Sequence, residues 1–112
     1  MLIEQKLIKL AEIGKGKLIG EDSSFYKIST DTRSINEGDV FLALKGDIYD
    51  GHDYLDEAIK KGAICLILEN EFKGSISYIK TSSTNLFLEN IAKAQRELFT
   101  GSVIAITGSN GK

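Results

Sequence analysis

Gly38-Asp39-Val40-Phe41-Leu42-Ala43-Leu44-Lys45-Gly46 decides the architecture. The apolar run from Val40 to Leu44 between two glycines reads as a buried strand, Asp39 to Leu44, with a turn at each end. A second apolar run, Ala63-Ile64-Cys65-Leu66-Ile67-Leu68, reads the same way. Between them, Asp53-Tyr54-Leu55-Asp56-Glu57 opens a helix. Asp53 can cap its free N–H groups, and acids in the first turn suit the helix dipole. Tyr54, Leu55, Ala58 and Ile59 share one face of it, and Gly62 ends it.

Working outward, Ser77 to Lys80 and Lys17 to Ile19 are short strands, and Phe25 to Ser29 is extended. Leu2 to Ile13 has helical spacing in Ile3, Leu7, Leu10 and Ala11, with Gly14 at its stop. Ser83 to Phe99 is a longer helix whose inward side carries Leu88, Ile91, Ala92, Gln95 and Leu98. Strand, helix, strand, then helix, strand is the order of an α/β layer protein: a small mixed sheet flanked by helices. TSSTN near Thr81 to Asn85 breaks the periodicity and marks a boundary. The expected division is residues 1–82 as one domain and 83–112 as a connecting helix and the start of another.

With 112 residues, 42% hydrophobic and 27% charged, the chain suits one compact domain of ordinary composition. A net charge of -2 with interspersed signs gives no basic stripe, so nucleic acid is not an expected partner. No apolar run approaches the ~20 residues a membrane span needs, and MLIEQKLIKLAEI is an interrupted amphipathic pattern, not a signal peptide, so the expected location is cytoplasmic. Cys65, the single cysteine, is a core residue in an apolar strand and part of no disulfide framework or Cys-based metal site.

Near the end, Val103-Ile104-Ala105-Ile106 is apolar at every position, as a central parallel strand is, and runs into Thr107-Gly108-Ser109-Asn110-Gly111-Lys112. Glycines there let successive N–H groups face an anion, and a lysine reaches the outer phosphates of ATP. A full phosphate loop also carries Ser or Thr after the lysine, and here Ile106 stands where its first glycine belongs. The string alone also suits a polar tail after a strand. The four apolar residues feeding straight into it favour the phosphate loop.

That loop resembles the nucleotide loop of the Mur ligases, whose version also replaces the first glycine and continues with Thr. The folate polyglutamylating ligases share the loop but not what stands upstream. Ser29-Thr30-Asp31-Thr32-Arg33, then Gly38 to Gly46, then Asp50-Gly51-His52-Asp53-Tyr54, and Gly62-Ala63 before a strand are similar to the first domain of the two Mur ligases that add the third residue and the terminal dipeptide. Ser109 and the approach Ile28-Ser29-Thr30-Asp31 look more like the dipeptide-adding enzyme.

The resemblance implies a UDP-substrate-binding first domain and an ATP-using central domain, together joining D-alanyl-D-alanine to UDP-N-acetylmuramoyl-tripeptide for peptidoglycan. It implies the UDP part of the substrate against Thr30, Asp31, Thr32 and Arg33 and against Lys45, Gly46, Asp47, Ile48 and Tyr49, with uracil and ribose at residues 30–32 and 47–49, and ATP against Thr107, Gly108, Ser109, Asn110, Gly111 and Lys112. Mg2+ would serve the whole enzyme through residues beyond Lys112.

Several of these residues have a plainer reading. Tyr49 can stack on the nucleoside or only pack in its turn, Lys45 can meet the pyrophosphate or stay solvated, and Asp31 with Arg33 reads first as a local ion pair. His52 reads as a backbone hydrogen-bonding residue. No nucleophile and base pair is present, so no catalytic residue is expected here and the chain alone should be inactive. A non-enzymatic binding domain leaves the phosphate loop unexplained; an unrelated phosphate-loop ATPase leaves the upstream blocks unexplained.

Overall fold

The computed structural model describes residues 5–48, 50–98 and 105–107, with side-chain surroundings for 5–48 and 50–94. In chain order the elements are β1 (Gln5–Lys6), α1 (Leu7–Gly14), β2 (Lys17–Ile19), β3 (Ser24–Phe25) and β4 (Lys27–Ser29). There follow a 3-10 turn (Thr32–Ser34), β5 (Val40–Leu42), a second 3-10 turn (Gly51–Tyr54), α2 (Leu55–Lys60), β6 (Cys65–Leu68), β7 (Ser77–Lys80), α3 (Thr84–Leu98) and β8 (Ala105–Thr107). One six-stranded sheet runs β2-β7-β6-β5-β4-β8, and β1 pairs with β3 apart from it. Only β2 is antiparallel in the large sheet; β7, β6, β5, β4 and β8 are all parallel. The expected small mixed sheet flanked by helices is the observed fold.

Both long apolar runs are buried on two sides because side chains alternate across a strand. Val40, Leu42, Cys65 and Ile67 face one core, closed by Leu7 and Leu10 of α1 and by Phe87 and Ile91 of α3. Phe41, Ala43, Leu66 and Leu68 face the other, closed by Ala58 of α2 and by Ile35. Cys65 has no exposed surface, and burial pushes its thiol up to about 12, so it is core as expected.

Several boundaries differ from the sequence reading. The helix expected from Leu2 starts at Leu7, because Gln5 and Lys6 are taken by pairing with Phe25 and Ser24; residues 1–4 lie outside the described residues. Gly14 is still helical, and Lys15 takes the left-handed turn at φ 67. Gly14 instead serves packing: a Cβ there would run into the Phe87 ring, so α1 and α3 meet at a contact only glycine allows. Strand β5 ends at Leu42 and β6 starts at Cys65, each shorter than its apolar run.

Asp53 does not cap α2, which begins at Leu55 after Tyr54 without a side-chain cap; Asp50 caps the preceding 3-10 turn. Inside α3 the sequence pattern passed over Phe87, which is fully buried, whereas Leu88 is only partly so. β8, read as a central strand, is the last of the described strands in the sheet order and lies beside β4, with Ile28 opposite Ile106 and Ser29 opposite Thr107.

Candidate functional site

Parallel strands deliver their C-terminal ends to one rim of a sheet, and ligands of open α/β sheets bind at that rim, near the point where the strand order reverses. Here β4, β5, β6 and β7 follow one another across the sheet and β8 returns to the other side of β4, so the order reverses beside β4. The loop after β4 holds Thr30 to Arg33, and the loop after β5 holds Lys45 to Ile48, so both expected uridine loops leave neighbouring strands at the same rim. Tyr49 lies outside the described residues, as do Gly108 to Lys112; Thr107 is described as the last residue of β8.

The loop after β4 is held by its own residues. The Asp31 carboxylate accepts the Arg33 backbone N–H at 2.9 Å and pairs with the Arg33 guanidinium at 2.6 Å, as expected of a local ion pair. The guanidinium hydrogen bonds, then that backbone N–H, keep Asp31 below the usual carboxylate range. The buried Ser29 hydroxyl donates to the Asp31 carbonyl at 2.8 Å and meets the Ser34 hydroxyl at 2.8 Å.

Below them Lys27 pairs with Asp39 at 3.0 Å, with side chains only 15% and 7% exposed. Lys27 also donates to the Ser34 carbonyl, and Asp39 accepts the Asn36 N–H. A buried pair of this kind needs further hydrogen bonds to offset its desolvation, and these supply one to each partner.

Thr32 is 6% exposed, and among the described residues its hydroxyl has no hydrogen-bond partner. Leaving a buried hydroxyl unsatisfied costs roughly 1–3 kcal/mol, so this position is poised to accept a partner from outside the fold.

The loop after β5 is held from a distance. Asn85, in the first turn of α3, takes the Lys45 N–H on its Oδ1 at 3.0 Å and donates its Nδ2 to the Lys45 carbonyl at 2.9 Å. Lys45 Nζ pairs with Glu69 at 2.9 Å, and the other Glu69 oxygen accepts the Thr84 N–H at 2.9 Å, capping α3. Burial alone would raise Glu69, but the Thr84 N–H and Lys45 together outweigh it and hold it below its ordinary value. The same pair raises Lys45. The Lys45 amine, expected either to meet a pyrophosphate or to be solvated, is half-exposed and engaged with Glu69. Gly46, Asp47 and Ile48 project into solvent.

At the loop's other foot, Gly51 donates to the Leu44 carbonyl at 2.7 Å, and a Cβ on Gly51 would come within 2.8 Å of the Ala43 Cα. His52 Nε2 accepts the Glu69 N–H at 2.9 Å, and its Nδ1 meets the Asp50 carboxylate at 2.7 Å. The His52 backbone N–H is the main cause that lowers Asp50. The histidine is structural, as its sequence setting suggested.

Among the described residues no cluster of His, Cys, Asp and Glu could hold a metal ion. A hollow of about 610 Å³ lined by Lys15, Lys17, Glu69 and Lys80 adjoins the same rim. Glu69 and Asn85 were passed over in the sequence. A Ser/Thr/Asn cluster before a helix signals capping, but nothing local signals a partner 40 residues away.

The described rim thus carries two loops from the ends of neighbouring parallel strands, followed along the chain by α3 and β8. The model of the Mur ligase family, catalytic domain, matches residues 24–98, and the chain belongs to that family.

The chain is 37% identical over 113 residues to UDP-N-acetylmuramoyl-tripeptide:D-alanyl-D-alanine ligase of Haemophilus influenzae, with 99% of this chain and 25% of that protein aligned. It is 37% identical over 103 residues to UDP-N-acetylmuramoyl-L-alanyl-D-glutamate:2,6-diaminopimelate ligase of Fusobacterium nucleatum, with 86% of this chain and 21% of that protein aligned. A crystal structure of MurF from Acinetobacter baumannii superposes with a TM-score of 0.77 at 27% identity, over 86% of this chain and 22% of that one. The chain thus spans about a quarter of the length of the curated relatives it matches. No described helix is long and apolar enough to cross a membrane.

Proposed function

We propose that residues 1–82 bind the UDP end of UDP-N-acetylmuramoyl-tripeptide, and that 83–112 are the connecting helix and the start of an ATP-binding unit. The whole protein, on this reading, is the cytoplasmic, ATP- and Mg2+-dependent ligase that adds D-alanyl-D-alanine to the tripeptide. The chain by itself supplies recognition and no chemistry. Uracil offers two carbonyl acceptors and one N–H, which backbone groups plus one hydroxyl can read.

The observation that carries the proposal is the buried Thr32 hydroxyl, without a partner among the described residues, in the loop that leaves β4 at the same rim as the loop after β5. Thr30 to Arg33 would face base and ribose, and Lys45 to Tyr49 the ribose and diphosphate. A diphosphate near Lys45 would compete with Glu69 for the amine. Thr107 to Lys112 would take ATP; β8 runs parallel to β4, so both substrates would approach from one rim.

In an NMR titration, UDP should shift amides of residues 30–33 and 46–48, whereas ATP at equal concentration leaves them in place. Thr32→Val should weaken UDP binding by about 1 kcal/mol, near fivefold. ATP moving those loops while UDP does not would end the uridine assignment.

The Fusobacterium nucleatum relative supports a second reading, addition of the third residue. Offering the whole protein D-alanyl-D-alanine or a diamino acid decides between them.

A further inference from the structure

Lys45 is gripped at its N–H, its C=O and its ammonium, and every partner belongs to α3's first turn or to Glu69, the residue that caps it. Asn85 faces the Lys45 peptide groups as a neighbouring strand would, with one acceptor and one donor, a pattern Asp and Leu cannot supply. The helix it projects from is fixed: Thr84 has no exposed surface and is tied to Glu69, and Phe87 is locked into the core against Gly14. Glu69 is fixed in turn, since its N–H goes to His52, whose ring also binds Asp50 at the loop's far foot. The circuit closes through the Lys45–Asp50 bridge, and of the described residues beyond it the tip, Gly46 to Ile48, is exposed.

We propose that Asn85, supported by Glu69, is a positioning residue that presets the loop from Lys45 to Ile48 for the ribose-diphosphate part of a uridine nucleotide. The role rests on the uridine reading above. A loop already shaped by the fold spares binding the entropy of ordering it, so affinity depends on a residue that touches no ligand. Asn85 also lies in the first turn of α3, the helix that precedes β8, which places the loop and α3 under one set of hydrogen bonds.

The test measures UDP affinity by calorimetry, amide exchange without ligand, and thermal midpoint for the wild-type chain, Asn85→Ala, Asn85→Asp and Thr32→Val. Asn85→Ala should raise the UDP Kd about five- to tenfold, as loss of a pair of modest hydrogen bonds implies. It should speed exchange at Gly46 to Ile48 while leaving Thr32 to Ser34 and the midpoint near wild type. Asn85→Asp, which keeps the acceptor for the Lys45 N–H, should fall between, and it carries the comparison if the alanine variant folds poorly.

In the whole protein the KM for the UDP-linked substrate should rise and that for ATP should not. Wild-type affinity in Asn85→Ala overturns the role, whether or not the loop exchanges faster. A drop in midpoint matching the loss of affinity reduces Asn85 to a structural residue and also overturns it. If Thr32→Val weakens UDP and Asn85→Ala does not, the uridine reading stands and this inference falls. If the wild-type chain ignores UDP, the reading itself fails and takes the inference with it.

Discussion

The loop after β4 and the loop after β5 leave neighbouring strands at one rim, yet they are built in opposite ways. Ser29, Asp31, Arg33 and Ser34 satisfy one another across two to five residues, with the Lys27–Asp39 pair beneath them. Lys45 relies on Glu69 and Asn85, and the latter is 40 residues away. Closing a short circuit costs little chain entropy and survives local change, whereas a long-range tie lasts only while the packing behind it does. The first loop is therefore tied by bonds among near neighbours and the second by bonds to α3 and to the residue that caps it.

The severest way to break that contrast is Phe87→Ala. Removing a fully buried ring that closes one core and fills the space beside Gly14 should cost about 3–5 kcal/mol in urea unfolding. Amide exchange should rise at residues 46–48 well before it rises at 32–34. A loss under about 1 kcal/mol would mean that α3 is dispensable and the contrast unfounded.

Glu69→Gln sharpens it at smaller cost, about 1 kcal/mol at neutral pH, since Lys45 is half-exposed and solvent screens the pair. Glu69 lies below its ordinary 4.5 in the folded state, so its contribution is present above 4.5 and fades as pH falls through the lowered value. Wild type and variant should differ at pH 7 and converge in acid when stability is followed against pH. Equal stability at pH 7, with unchanged exchange at 46–48, would remove Glu69 from the account.

Arg33→Ala should do least, at most about 0.5 kcal/mol, because its side chain is 86% exposed and the Asp31 carboxylate keeps the residue-33 backbone N–H. Exchange at 32–34 should stay slow. Rapid exchange there would show that the first loop depends on its surface ion pair and is no more self-contained than the second.

The sequence by itself determined the parallel strands, through the apolar runs at Val40 and Ala63, and strands β2 and β7 to the residue. It also determined Cys65 as core, the Asp31–Arg33 pair and the structural role of His52, because each is written in residues a few positions apart. Only the tertiary structure decided that Gly14 yields to Phe87, that Asp50 caps where Asp53 was expected, and that Gln5 and Lys6 leave the helix to pair with Ser24 and Phe25. It alone decided that Asn85 and Glu69 hold Lys45. Local spacing encodes which face a residue turns to the core; it does not encode which distant residue meets it there, since that depends on how the sheet stacks its helices.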